Sequence, residues 1–132
     1  MDKNMKGKMN ALINKLADAP FAYGKNDCFT FTNALVKQWH GKDFRSLHKY
    51  KTKGEAIKYV AKNKSIEALT TGTLGYSVDP ETCVDGDVVT AAVGPDESLA
   101  LGFVYDGHGL FKTSTTVKAL PLKLCSKGWR VK

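Results

Sequence analysis

The chain has 132 residues, 42% of them hydrophobic and 10% aromatic, enough for one compact core. Its apolar runs are short and broken by Lys, Asp or Gly, which excludes a bilayer-spanning helix of about 20 residues. The formal charge of +7 is uneven: residues 1–64 hold 14 Lys/Arg against 5 Asp/Glu, or +9, and residues 65–132 hold 6 against 8, or −2. The basic half suits nucleic acid, an anionic envelope polymer or an acidic protein, although lysines scattered through helical patterns also read as a plain solvated surface.

Three cysteines, Cys28, Cys83 and Cys125, lie far apart with no CxxC pair and an odd total. Neither a disulfide framework nor a zinc site is suggested, and the expectation is reduced thiols in a cytosolic product. The Lys-rich start has its apolar stretch broken by Asn14 and Lys15 and no small-residue cleavage site, so a protein made without a secretory leader is expected.

In chain order, Met5, Met9, Leu12, Ile13 and Leu16 recur at spacings of three and four and predict an amphipathic helix within residues 1–19, before Pro20. "FAYGKND" then supplies an aromatic turn. From Asp27 onward Cys28, Phe29, Phe31, Thr32, Ala34, Leu35, Val36 and Trp39 leave few polar gaps, predicting a central helix buried on most sides and closed by His40-Gly41. Thr52 and Glu55 have the spacing of a capping box, and Ala56, Ile57, Val60 and Ala61 make the apolar stripe of a third helix. A short fourth helix is predicted over residues 65–69, so that residues 20–70 hold the central helix and its successors; "TTGTLGYSVDPETC" reads as a loop.

Over residues 83–132 the period becomes strand-like. "GDVVTAAV", "LALGFVYDG" and "GLFKTS" are rich in β-branched and aromatic residues and divided by "GPDE" and "DGHG" turns. "VKALPL" predicts a fourth strand, and "CSKGWRV" a tail tucking Trp129 against the sheet. Helices first and antiparallel strands afterwards predict an α+β class, one domain over residues 1–132.

Cys28 follows Asp27 at the predicted first turn of the central helix, where free amides and the helix dipole stabilise a thiolate. Asp27 suits the N-cap, although its charge opposes the thiolate. The competing reading is a small apolar side chain packed in a core.

The stretch "FAYGKNDCFTF" resembles the aromatic-Gly, Asp-Cys, small-x-aromatic entry into the central helix of NlpC-type cell-wall peptidases, a papain-like superfamily. Gly86-Asp87-Val88-Val89 resembles the Gly-Asp that opens their first core strand, and "LALGFVYDG" resembles the next strand, which begins with His and carries Gly two positions on. Closer still is the likeness to a phage and prophage branch, through Gly24, Asp27-Cys28, Gly86 to Val89, "ALG" at 100–102, Gly109-Leu110, "LPL" at 120–122 and "WRV" at 129–131, in one order from Pro20 onward. The resemblance implies a papain-like fold with its helices packed on an antiparallel sheet, and Cys28 at the nucleophile position. It also implies supporting positions at Tyr23, Gly24, Asp27, Gly86, Asp87, Ala100 and Gly102. A phage origin implies synthesis in the host cytoplasm, a place in the virion, its tail in particular, and phage structural or assembly proteins as partners.

The departure from that pattern is at the base, because the histidine position holds Ala100. A papain-like mechanism needs an imidazole beside the sulfur to take its proton and later protonate the leaving amine. His40 is about 18 Å from Cys28 along the predicted helix, His48 lies in a basic linker, and His108, in the "DGHG" turn, is the remaining candidate base. Asp27, Asp85 and Asp87 form no evident acid/base pair, Asp87 reading as a turn residue that opens a strand, and Lys112 reads as surface. No phosphate loop or metal-spaced cluster is present, so neither cofactor nor metal is expected.

Three functions compete. The missing histidine favours a degenerate, catalytically silent papain-like module of a phage particle. The alternative is an active cysteine peptidase or amidase cutting the peptides of bacterial cell-wall peptidoglycan. A third is a basic protein that binds nucleic acid or a host factor, which the charge permits but no reader motif supports.

Overall fold

The computed structural model describes residues 3–23, 25–41, 52–62, 65–94 and 98–131. Helices α1 (Lys3–Asp18), α2 (Cys28–His40), α3 (Lys53–Lys62) and α4 (Ile66–Leu74) precede strands β1 (Val88–Ala91), β2 (Ala100–Tyr105), β3 (His108–Lys112), β4 (Val117–Pro121) and β5 (Lys127–Trp129). The strands form one antiparallel sheet ordered β4-β3-β2-β1-β5. The architecture is therefore α+β, with N-terminal helices and a C-terminal sheet. No described helix is long and apolar enough to cross a membrane.

Two elements differ from the sequence expectation. The fourth helix continues past residue 69 to Leu74, through a threonine-rich stretch that reads as loop. Ser65 caps it by accepting from the Ala68 amide at 2.9 Å. The hydroxyls of Thr70 and Thr73 donate to the carbonyls of Ile66 and Leu69, at 2.8 and 3.3 Å, so the threonines satisfy themselves within the helix instead of breaking it. The second difference is the C-terminal stretch, which is a fifth strand and not a tucked tail: Val88 pairs with Trp129 and Thr90 with Lys127. The fully buried indole of Trp129 then donates to Thr71 Oγ1 at 3.1 Å, tying α4 to that edge.

The sheet is buried on both faces at its centre. Val88, Leu101, Phe103, Tyr105 and Trp129 meet Met9, Phe29, Phe31, Leu35 and Val36 of the helices. On the other face Val89, Ala91, Ala100, Val104 and Phe111 gather with Cys83 and Cys125, which cap the short 3-10 turns Pro80–Thr82 and Leu122–Leu124. The β2–β3 connection is the two-residue Asp106-Gly107 turn, with φ of 53° and 75°, the left-handed pair that a tight hairpin requires.

Lys112 corrects a sequence reading, since it is buried and not a surface residue. Its Nζ donates to the carbonyls of Ala17 and Ala19 at 3.2 and 2.9 Å, the free carbonyls and negative dipole end of α1. Gly102 explains how the second face closes: a Cβ there would stand 2.5 Å from the Phe111 ring and 2.7 Å from the Leu110 carbonyl. Gly102→Ala should therefore overpack the sheet and cost about 2 kcal/mol, read as a lower urea midpoint with an unchanged slope.

Candidate functional site

Cys28 is the first residue of α2, and the preceding turn is built to hold it there. Asp27, in extended conformation at the N-cap, accepts from the Thr30 amide at 2.9 Å, while its own amide donates to Thr30 Oγ1 at 2.8 Å, a reciprocal capping box. Asp27 is 1% exposed, so this carboxylate is committed to the cap. One residue earlier, the Asn26 carboxamide donates to the carbonyls of Leu16, Ala19 and Pro20 at 3.2, 2.9 and 3.2 Å. With Lys112 it fastens the end of α1 to the start of α2.

Across from this turn lies the start of β2. Thr32 Oγ1 donates to the Leu101 carbonyl at 3.2 Å, and the Leu101 backbone amide lies near enough to the Cys28 sulfur to favour its thiolate. Although Cys28 keeps some surface, protein atoms crowd its sulfur, and burial is the largest influence on the thiol, pushing it from 9.0 up to about 12. The Leu101 amide pulls the other way, the Asp27 carboxylate pushes up again, and the amides of Phe29 and Cys28 pull down more weakly. Desolvation thus outweighs the helix N-terminus, and Cys28 is a protonated thiol at neutral pH. Burial also pushes Cys83 and Cys125 up, each to about 11.

Tyr23 belongs to the same corner. Its ring meets Phe21 edge-on at 5.0 Å, and its phenol is raised by burial first, then by Cys28 and Asp27. Gly24 and His48 lie outside the described residues. The structure thus brings Tyr23, Asp27, Cys28 and Leu101 together; Thr30, which sequence reasoning missed, is legible afterwards in the Asp-x-x-Thr spacing.

The remaining positions stand elsewhere. Ala100 belongs to the second apolar cluster, against which Cys28 also packs, and Gly102 lies beneath Phe111. Gly86 and Asp87 stand at the opposite end of the sheet, where Asp87 accepts from the amides of Val84 at 2.9 Å and Val131 at 3.1 Å. Gly86 has φ of 98°, and a Cβ there would collide with the Trp39 ring. His40 Nε2 is 2.8 Å from the Gly86 carbonyl, twelve residues along α2 from Cys28, or about 18 Å. His108 is exposed, with Nδ1 2.9 Å from the Asp106 carbonyl. It pairs with Tyr105, four residues along β2 from Leu101, or about 13 Å.

Neither described histidine therefore reaches the Cys28 sulfur. The corner can direct backbone amides at a sulfur or a carbonyl oxygen, but among these residues nothing accepts the thiol proton. The described His, Cys, Asp and Glu residues form no group of three able to hold a metal ion.

Two expectations follow from these contacts. Lys112→Met should strand the Ala17 carbonyl and leave that of Ala19 to Asn26, cost about 2 kcal/mol, and raise amide exchange at the end of α1. The raised thiols make stability pH-dependent with a definite sign: folded thiols hold protons that unfolded ones release above about pH 9, so their contribution is intact below that pH and is lost as pH rises toward 12. Cys28→Ala should lower this alkaline loss relative to the parent, measured as urea midpoints between pH 8 and 11.

No curated protein matches the chain. The model of one family, DUF6950, described as a domain of unknown function, matches residues 2–131, and the chain belongs to that family.

Proposed function

We propose that this chain is a catalytically silent papain-like domain of NlpC type, encoded by a phage, that serves as a binding or assembly part of the virion. The reading starts from the motif order around Asp27-Cys28, Gly86-Asp87 and "ALG" at 100–102, which resembles the phage branch of that superfamily. A cysteine at the first position of a buried helix, beside the opening of a sheet strand, accords with it.

The observation that carries the silent assignment is the state of the sulfur. A thiol held near 12 has a thiolate fraction at neutral pH about three orders of magnitude below that of a free cysteine. Papain-like attack escapes this penalty by transferring the proton to an imidazole. Here His40 and His108 are bound to backbone carbonyls far from the sulfur, and the position that resembles the family's histidine is the methyl group of Ala100. The alternative, a cysteine peptidase acting on peptidoglycan, requires an activated Cys28.

Alkylation by iodoacetamide, followed by peptide mass spectrometry, separates the two. Cys28 should label no faster than Cys83 or Cys125 at pH 6, and its rate should rise about tenfold per pH unit through pH 9 without a plateau. Cys28→Ala should leave turbidity of a cell-wall suspension unchanged relative to the parent. Fast, selective labelling of Cys28 at pH 6, or cell-wall lysis lost in Cys28→Ala, would overturn the silent reading in favour of the peptidase.

A further inference from the structure

Helix α3 leaves much of its apolar stripe unused. Ala56 is buried in the core, but Ile57 is 60% exposed and Ala61 is exposed as well; the Val60 side chain lies outside the described residues. At 100° per residue, Lys58 and Lys62 border Ile57 and Ala61 on one side and Lys53 borders them on the other, all three exposed. None of these lysines has a carboxylate partner among the described residues. The result is an apolar strip about two turns long with a rim of ammonium groups.

A second surface carries the opposite sign. Val84 is 58% exposed, with Asp79 and Glu81 exposed just before it and the half-buried Asp85 just after. The Gly107 amide donates to Asp85 Oδ1 at 3.3 Å, which brings the β2–β3 turn and the exposed Asp106 to the same place. Arg130, donating to the Thr82 carbonyl at 3.0 Å, is a cation on the Glu81 side of this surface. This surface too is an exposed aliphatic side chain with a charged rim.

We propose that α3 of one copy docks on the Val84 surface of a second copy, Ile57 against Val84 and Lys53, Lys58 and Lys62 against Asp79, Glu81, Asp85 and Asp106. A nucleic acid would match the lysines but offer nothing to Ile57 and Ala61, and α3 contains no Arg for phosphate or base recognition. An apolar centre with complementary rims is what a protein surface supplies, and this chain carries both halves. Because the two surfaces differ, the contact is head-to-tail and propagates into a ring or a filament. It rests on exposure and charge, and it does not depend on the state of Cys28.

Sedimentation velocity of the full chain across a hundredfold concentration range should reveal self-association that weakens at least tenfold between 50 and 500 mM NaCl. The double variants Lys58→Glu/Lys62→Glu and Glu81→Lys/Asp85→Lys should each be monomeric alone, since each presents two surfaces of one sign, and should associate when mixed. Ile57→Asp should weaken the parent's association at least tenfold, and circular dichroism melts verify that each variant is folded. A parent monomeric throughout the range would overturn the proposal. So would association insensitive to salt and charge reversal, or charge-reversed variants that associate alone. Salt-dependent retention on DNA with no self-association would instead assign α3 to nucleic acid.

Discussion

Strand β2 has water on neither side, and much else in the molecule is arranged around that fact. All six residues from Ala100 to Tyr105 are buried, their side chains alternating between a helical layer and a second layer of short turns. A strand covered twice needs a cover on each face. α2 supplies one with Phe31 and Leu35, and Phe111 folds over Gly102 to supply part of the other. Where β2 begins, α2 begins too, so the first turn of the helix and the Leu101 backbone enclose whatever residue lies between them.

That residue is Cys28, and its chemistry is a contest between two effects of one location. Free amides at a helix start favour a thiolate, and those of Cys28 and Phe29 act on this sulfur together with the Leu101 amide of β2. The enclosure that brings them near also strips away water, and the Asp27 carboxylate that fixes the cap adds a negative charge. Burial prevails. Helix N-termini activate cysteines when solvent or a cationic partner shares the load, and the described histidines are engaged at the other end of α2 and beyond the β2–β3 turn.

Much of this was readable in the residues, and the exceptions have physical causes. Met9, Leu35 and Phe31 follow helical periodicity because one stripe of each helix faces the core. The Asp106-Gly107 turn is legible because few pairs accept two left-handed residues. α4 is harder to read: threonine has modest helix propensity, and only the hydroxyl bonds and the packing of Leu69 under the sheet edge compensate. β5 is three residues long with Lys and Gly in it, so its pairing with β1 left almost no local trace. Lys112 was misread because one charged residue in a strand normally faces water, and its partners lie more than ninety residues away. In the candidate site, Asp27 and Cys28 declared themselves locally, whereas the Leu101 amide acts through the backbone and carries no sequence signature.

The ties on α1 bear on the order in which the chain matures. Lys112 reaches its last carbonyls, and the Tyr105 hydroxyl donates to Asn10 Oδ1 at 2.8 Å, so both restraints come from the sheet. During translation α1 emerges well before either partner has been made. Until β2 and β3 have left the ribosome it has α2 and the Asn26 bonds to hold it, but not the sheet that completes its cover. The segment synthesised early is thus among the later ones to be fully secured, and that interval is when the nascent chain most needs shielding from its neighbours.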